Sequence, residues 1–407
     1  MQRWMLVGLL VLSVAGGAFA RTRPGALPRE ARAVADGSNA FAFDLYGRVV
    51  KEGENAIFSP FSMTTALAMT HVGARGKTAE QMEKVLHLGM GREALDGGFE
   101  ALLKDLNARQ ERGAYELVVA NALWGQEGYE FLPAFLKETR AKYGAGLEEV
   151  DFRGNVEAAR GRINGWVEKE TKEKIKNLFP KDSLDEDTRL VLTNAVYFLG
   201  TWHSQFEKRA TQDQPFKLAG GGEVTVPLMQ QFDRFGYAES EELQVLEMVY
   251  KGGDLSMVVV LPRAVDGLPA VEKKLSAGAL AGWLKGLRVR RGSVALPRFK
   301  IEQKIGLGGV LQAMGMTDAF DGRKADLSGM NGRRDLFIQK VVHKAYVAVD
   351  EEGTEAAAAT GVAVGVTSAM PVEEPFQFRA DHPFLFLIRD RRSGAILFIG
   401  RLVKPEK

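Results

Sequence analysis

Asp350-Glu-Glu-Gly-Thr-Glu-Ala-Ala-Ala-Ala-Thr-Gly-Val-Ala-Val-Gly-Val-Thr-Ser-Ala-Met370 is the stretch of this 407-residue chain that local rules pull in two directions. It begins acidic, passes through four consecutive alanines and ends with Val362, Val364 and Val366 at a spacing of two. Glu355 to Ala359 favours helix or solvated coil, whereas the valine alternation favours strand. From Ala345 through Phe378 there is no Lys or Arg, and between Gly353 and Met370 there is no aromatic residue. Small side chains at nearly every position would let such a segment slide between two strands with little steric cost. The same composition also fits an exposed alanine-rich linker, so the flanking sequence has to decide.

Those flanks are rich in strand signals. Leu190 to Phe198, Leu255 to Leu261, Ser293 to Leu296, Leu336 to Val349, Phe384 to Ile388 and Ala395 to Val403 are Val, Ile, Leu and Phe runs bounded by Gly, Pro or charges, and Leu117 to Leu123 is a first such run. The first third reads instead as helix. Phe41, Leu45 and Val49 recur at four-residue spacing until Gly53-Glu54-Asn55. Ser59-Pro60 is an N-cap with proline at the first helical position, and Thr78 with Gln81 reads as a capping box. Residues 155–178 carry Val156, Ile163, Val167 and Ile175 among alternating charges and predict one long amphipathic helix. Helices first and strands later, without regular alternation, indicate an α+β protein. No repeat, linker or composition break divides the chain, so a single domain is expected from residue 37 to 407, preceded by a polar lead-in over residues 21–36.

The composition is that of an ordinary globular protein, with 45% apolar and 26% charged residues. A net charge of +2 supplies no long-range field for nucleic acid or anionic lipid. The absence of cysteine removes thiol nucleophiles, disulfides and Cys-bearing metal sites. At the amino terminus, Arg3, the apolar run from Met5 to Ala15 and Ala18-Phe19-Ala20 read as a signal peptide over residues 1–20, cleaved before Arg21. The run is shorter than the roughly 20 apolar residues a spanning helix needs. An exported protein, extracellular or periplasmic and free of the membrane after cleavage, is expected.

Catalytic constellations are missing. There is no His-Glu-x-x-His, no phosphate-binding loop and no Gly-x-Ser-x-Gly elbow, and His71, His87, His203, His343 and His382 never fall at ligand spacing. Gly306-Leu307-Gly308-Gly309 lacks the third glycine of a dinucleotide fingerprint. Clusters such as Arg389, Arg391 and Arg392 read as solvated loop ends. Neither an enzyme nor a cofactor or metal is indicated.

Seven blocks in order resemble the serpins, over about residue 37 to Pro405. They are Asn55-Ala-Ile-Phe-Ser-Pro-Phe-Ser62, Asn121-Ala-Leu-Trp124, Asn194-Ala-Val-Tyr-Phe-Leu-Gly-Thr-Trp202, Val294-Ala-Leu-Pro-Arg-Phe-Lys300, Ala325-Asp-Leu-Ser-Gly-Met330, Glu351 to Thr360, and Phe378-Arg-Ala-Asp-His-Pro-Phe-Leu-Phe386. The resemblance implies three β-sheets with eight or nine helices and a reactive loop, about residues 350–375, exposed above the largest sheet. It implies that a target protease cleaves the loop and is trapped as a covalent acyl-enzyme when the hinge inserts as a new strand. Loop insertion of this kind is a recognised switching mode.

In this resemblance the hinge comprises Glu351, Glu352, Gly353, Thr354, Glu355, Ala356, Ala357, Ala358, Ala359 and Thr360, and the family's spacing puts the scissile bond between Thr367 and Ser368. On insertion Thr354, Ala356, Ala358 and Thr360 would face inward, all small and uncharged. A small β-branched residue at the cleaved bond suits an elastase-like or subtilisin-like serine protease, with a cysteine protease as a lesser possibility. Ser59, Ser62, Asn194 and His343 match the cluster that holds the main sheet closed, and Trp202 the tryptophan where the hinge enters. A monomer is expected, and the loop's valine alternation makes it liable to polymerise by inserting into another molecule's sheet. A carrier, chaperone or storage role is the alternative, and it would predict hinge substitutions opposing insertion, of which Glu351 to Thr360 show none.

Overall fold

The computed structural model describes residues 26–113, 115–354 and 374–405. Helix α1 (Arg29–Val49), strand β1 (Ala56–Phe58) and helices α2 (Pro60–His71), α3 (Gly76–Val85) and α4 (Arg92–Gln110) come first. They are followed by β2 (Tyr115–Gln126), α5 (Pro133–Tyr143), β3 (Leu147–Val150), α6 (Val156–Glu170) and β4 (Leu190–Thr201). Next come β5 (Gln212–Lys217), β6 (Glu223–Glu239), β7 (Leu243–Val249) and β8 (Leu255–Pro262), helices α7 (Leu268–Lys274) and α8 (Ala277–Gly286), and strands β9 (Arg288–Pro297) and β10 (Phe299–Gly306). Short helices α9 (Gly308–Ala313) and α10 (Ser328–Asn331) precede β11 (Lys340–Val349), β12 (Gly353–Thr354), β13 (Phe376–Arg379), β14 (Phe384–Asp390) and β15 (Ile396–Leu402).

The strands form two hydrogen-bonded sheets. The main sheet runs β10-β11-β12-β4-β2-β3, and the second runs β1-β15-β14-β8-β7-β6-β9-β13 with β5 on β6. Of the three sheets expected, two are thus joined, because the 17-residue β6 pairs with β5 and β9 along one part and with β7 at its far end. The expected α+β class holds.

Burial explains the continuous apolar runs. Every residue of α2 is buried beneath the main sheet, and β4 is buried along nearly its whole length. A sheet covered on both faces selects unbroken apolar runs rather than alternation. On its outer face α6 presses Ile163 and Val167 onto a cluster with Trp124, Phe152, Phe179 and Tyr197. Ser59 caps α2 by accepting from the Ser62 N–H at 3.2 Å, with Pro60 following it.

Four local readings need correction. α1 begins at Arg29, so part of the presumed lead-in is helix, and Ala31, Val34 and Ala35 are in the core. Thr78 and Gln81 do not form a capping box. Thr78 Oγ1 accepts from the Asp326 N–H (3.0 Å) and Gln81 Oε1 from those of Thr317 and Asp318 (3.0 and 2.8 Å), so both serve a distant loop. The helix over 155–178 stops at Glu170, since Lys172, Glu173 and Asn177 adopt positive φ. Two members of the Arg389, Arg391 and Arg392 cluster are partnered rather than freely solvated: Arg391 pairs with Glu247 (3.3 Å) and Arg392 with Asp105 (2.6 Å).

Candidate functional site

The chain reverses direction within three residues of the end of β11. Asp350 Oδ1 accepts from the N–H groups of Glu352 (2.9 Å) and Gly353 (3.1 Å), while the Asp350 N–H donates to the Gly353 carbonyl (2.8 Å). A short acidic side chain is suited to closing such a turn. The turn returns Gly353 and Thr354 as β12, wedged between β11 and β4. Val349 lies opposite Thr354 on one side, while Thr201 and Gly200 lie opposite Gly353 and Thr354 on the other. A Cβ at Gly353 would sit 2.0 Å from the Gly200 carbonyl oxygen, so the slot admits only glycine.

Thr354 is fully buried, with its hydroxyl 2.7 Å from that of Tyr250. Tyr250 stacks on Trp202, with centroids 4.5 Å apart and planes at 11°. Trp202 in turn grips the turn twice: Nε1 donates to the Asp350 carbonyl (3.0 Å) and its backbone N–H to that of Glu352 (2.9 Å). Glu351 is only 2% exposed, and its Oε1 accepts from Thr211 Oγ1 (2.6 Å) and Arg298 (2.5 Å). Burial works against ionisation of Glu351, but the bonds from Arg298 and Thr211 outweigh it and hold the carboxyl below its ordinary value. Glu352 pairs with Lys208 at 2.7 Å nearer the surface.

Below this wedge the sheet is closed. β4 and β11 pair directly and in parallel, from Val191 opposite Lys340 to Tyr197 opposite Tyr346. His343 lies opposite Asn194 in this ladder. The Ser59 N–H donates to His343 Nε2 (3.2 Å), so Nδ1 carries the proton and donates to Asn194 Oδ1. Asn194 Nδ2 donates to Ser62 Oγ (2.6 Å) and to Asn121 Oδ1, while Asn121 Nδ2 donates to the Ser62 carbonyl (3.3 Å). The neutral, buried network ties α2 to both strands, and opening the sheet must break it.

The network makes sheet closure sensitive to pH. Burial lowers the His343 imidazole from 6.5 to about 3. An opened or unfolded state takes up the proton near pH 6.5 and the closed sheet only near 3, so closure is fully stabilised above about 6.5 and weakens as pH falls. Heating at pH 5 should therefore consume monomer faster than heating at pH 7.5, and His343→Gln should flatten that dependence. An unchanged pH dependence in the variant would assign the effect to another group.

The loop's far end is anchored as well. β13 pairs in parallel with β9, from Phe376 opposite Gly292 to Arg379 opposite Ala295. Phe376 stacks on Tyr237 at 4.0 Å and 5° and fills the space a Cβ on Gly292 would need.

The structure thus brings Ser59, Ser62, Asn194 and His343 into one cluster and places Trp202 against Glu351, Glu352, Gly353 and Thr354. Glu355, Ala356, Ala357, Ala358, Ala359, Thr360, Thr367 and Ser368 lie outside the described residues. Sequence reasoning assigned no role to Tyr250, Arg298, Thr211 or Asn121. Arg298 and Asn121 fell inside motif blocks, whereas nothing local distinguishes Tyr250 or Thr211. Among the described residues no group of His, Asp and Glu could hold a metal ion.

Residues 36–405 match the family described as Serpin (serine protease inhibitor). The chain is 42% identical over 392 residues to human Serpin B3, covering 91% of this chain and 99% of that protein. It is 44% identical over 376 residues to human leukocyte elastase inhibitor, covering 90% and 97%. The crystal structure of Serpin48, described as a highly specific serpin of the insect Tenebrio molitor, superposes with a TM-score of 0.83 at 35% identity, covering 93% of this chain and all of that one. With an anchored hinge turn, a closed sheet beneath it and these relatives, the chain belongs to the serpin family of protease inhibitors and not to an enzyme family.

Proposed function

We propose that this serpin is an exported suicide inhibitor of elastase-like or subtilisin-like serine proteases, trapping the acyl-enzyme by inserting its loop between β4 and β11. The observation that carries this reading is β12, a two-residue strand already seated between them. Continuing its register, in which Thr354 faces Gly200 on β4 and Val349 on β11, brings Thr360 opposite both Asn194 and His343. Thr360 shares the inward face with Thr354, so its hydroxyl arrives where the His343–Asn194 bond is being broken and can replace it. The residues between are alanines and one glutamate, the glutamate on the outward face. About fifteen residues from Gly353 to Thr367 form a strand of roughly 50 Å, enough to carry an attached protease the length of the sheet.

The target class rests on Thr367, a small β-branched residue in a loop without cations or aromatics, and export rests on the apolar run before Arg21. Incubation with elastase-like, subtilisin-like and trypsin-like proteases, read by denaturing gels and mass spectrometry, tests all of this. An SDS-stable complex with the first two, a cut after Thr367 and a mature start at Arg21 are expected. Cleavage without a stable complex would overturn trapping and leave a carrier or storage role.

A further inference from the structure

Only three large apolar side chains among the described residues are well exposed, and two of them sit together. Phe232 on β6 is 52% exposed and Val289 on β9 is 75% exposed. In the β6–β9 register Phe232 faces Ser293, Arg234 faces Arg291 and Gly236 faces Val289, so these side chains share one outward face. The opposite face buries Phe235 and Tyr237. Two arginines directly across a strand pair repel each other, an arrangement that costs stability unless something else uses it. No carboxylate among the described residues pairs with Arg234 or Arg291, although Arg291 lies over the Phe232 ring at 5.2 Å. Arg290, one residue away on the other face, pairs with Glu239 at 3.5 Å. The outward face is thus a small apolar surface with two cations that no carboxylate among the described residues neutralises.

Its position suggests the occupant. The face continues onto β13, where Gln377 lies opposite Ser293, and β13 receives the chain as it leaves the reactive loop. From Ser368 to Phe376 is eight peptide steps, at most about 28 Å of chain. A protease of about 230 residues has a radius of gyration of about 17 Å and hence a compact diameter of about 45 Å, greater than this distance, so part of its body can lie over this face when it engages the scissile bond.

We propose that Phe232, Arg234, Val289 and Arg291 form an auxiliary docking surface for the target protease, selecting proteases whose rim beside the active site carries carboxylates around an apolar spot. This rests on the inhibitory reading for the identity of the partner. Opposed cations steer an acidic partner at long range, and Phe232 with Val289 supplies the apolar contact once it has docked.

The test uses full-length protein and nucleophile-dead proteases, one with an acidic and one with a basic active-site rim, both cleaving after small residues when active. Binding to the dead enzymes needs no trapping, so it reads the surface alone, whereas SDS-stable complexes with the active enzymes read trapping alone. R234E/R291E should weaken binding of the acidic-rimmed protease about tenfold or more, most strongly at low salt, and leave the basic-rimmed one unchanged or tighter. Phe232→Ala should weaken the acidic-rimmed one without altering the salt dependence. Both variants replace exposed side chains, and unchanged melting temperatures verify the fold. Equal affinities of wild type and R234E/R291E for the acidic-rimmed enzyme would overturn the proposal, as would capture of a sulfated polysaccharide through the same arginines without any effect on protease binding.

Discussion

Cleaved after Thr367, the protein should melt at least about 20 °C above the intact chain. In the intact protein β4 and β11 meet directly, and among the described residues β12 contributes Gly353 and Thr354 to the gap between them. Cutting the loop frees the segment after Thr354 to continue this register, gaining ladder bonds on both sides and burying every second side chain. For a chain of this size each kcal/mol moves the midpoint by about 1–2 °C, so an inserted strand contributing about 15–20 kcal/mol accounts for the shift. The intact form is then a kinetically held state whose lifetime depends on a barrier rather than on an equilibrium. Differential scanning calorimetry before and after limited proteolysis measures this directly. Coincident melting transitions would show that the sheet does not accept the loop, and the trapping mechanism would fall with it.

Glu351→Lys should convert the protein from a stable monomer into one that polymerises on mild heating. The native carboxylate is buried, accepts from Thr211 and pairs with Arg298. Lysine puts a second cation against Arg298 and leaves the Thr211 hydroxyl without its acceptor. Removing one partner of a buried pair costs about 3–5 kcal/mol. The Arg298 side chain is 47% exposed and can turn toward water, which lowers the figure here to about 2–3 kcal/mol. That is still a rise of about a hundredfold in the population with a loosened hinge turn. A loosened turn uncovers the β4 and β11 edges at Gly200 and Val349 to the loop of another molecule. Native gels after heating should show a ladder for the variant under conditions that leave wild type monomeric. Adding Arg298→Glu should restore most of the monomer by reversing the pair. Equal monomer loss in wild type and Glu351→Lys would mean that the turn does not guard the sheet.

Much of the interior of both sheets was legible in advance. β4, β8, β11, β14 and β15 are apolar runs because both faces are covered, and such runs stand out in any sequence. β5 and β6 were missed because their mixed polar and apolar residues follow a half-exposed pattern that long strands in the second sheet share with loops. The helix predicted past Glu170 failed for a different reason. Ile175 and Leu178 are buried as its pattern implied, but a turn rather than a helix delivers them to the same cluster. At the site, Gly353, Thr354 and Glu351 could be singled out through motif blocks, and His343 through the family's cluster with Asn194. Tyr250 could not, since its meaning depends on a contact with Thr354 across 104 residues of chain. The Arg234–Arg291 opposition was equally hidden, because only strand register makes the two neighbours.

In the proposed mechanism β13 also sets how long the inhibitor stays usable. An uncut loop is tied at Thr354 and again at Phe376, and it can descend into the sheet only if β13 peels away from β9. Four residue pairs and the Phe376–Tyr237 stack oppose that release. They act as a timer: the strength of one short edge strand determines the shelf life of the active form, while the cut made by a protease bypasses the timer altogether.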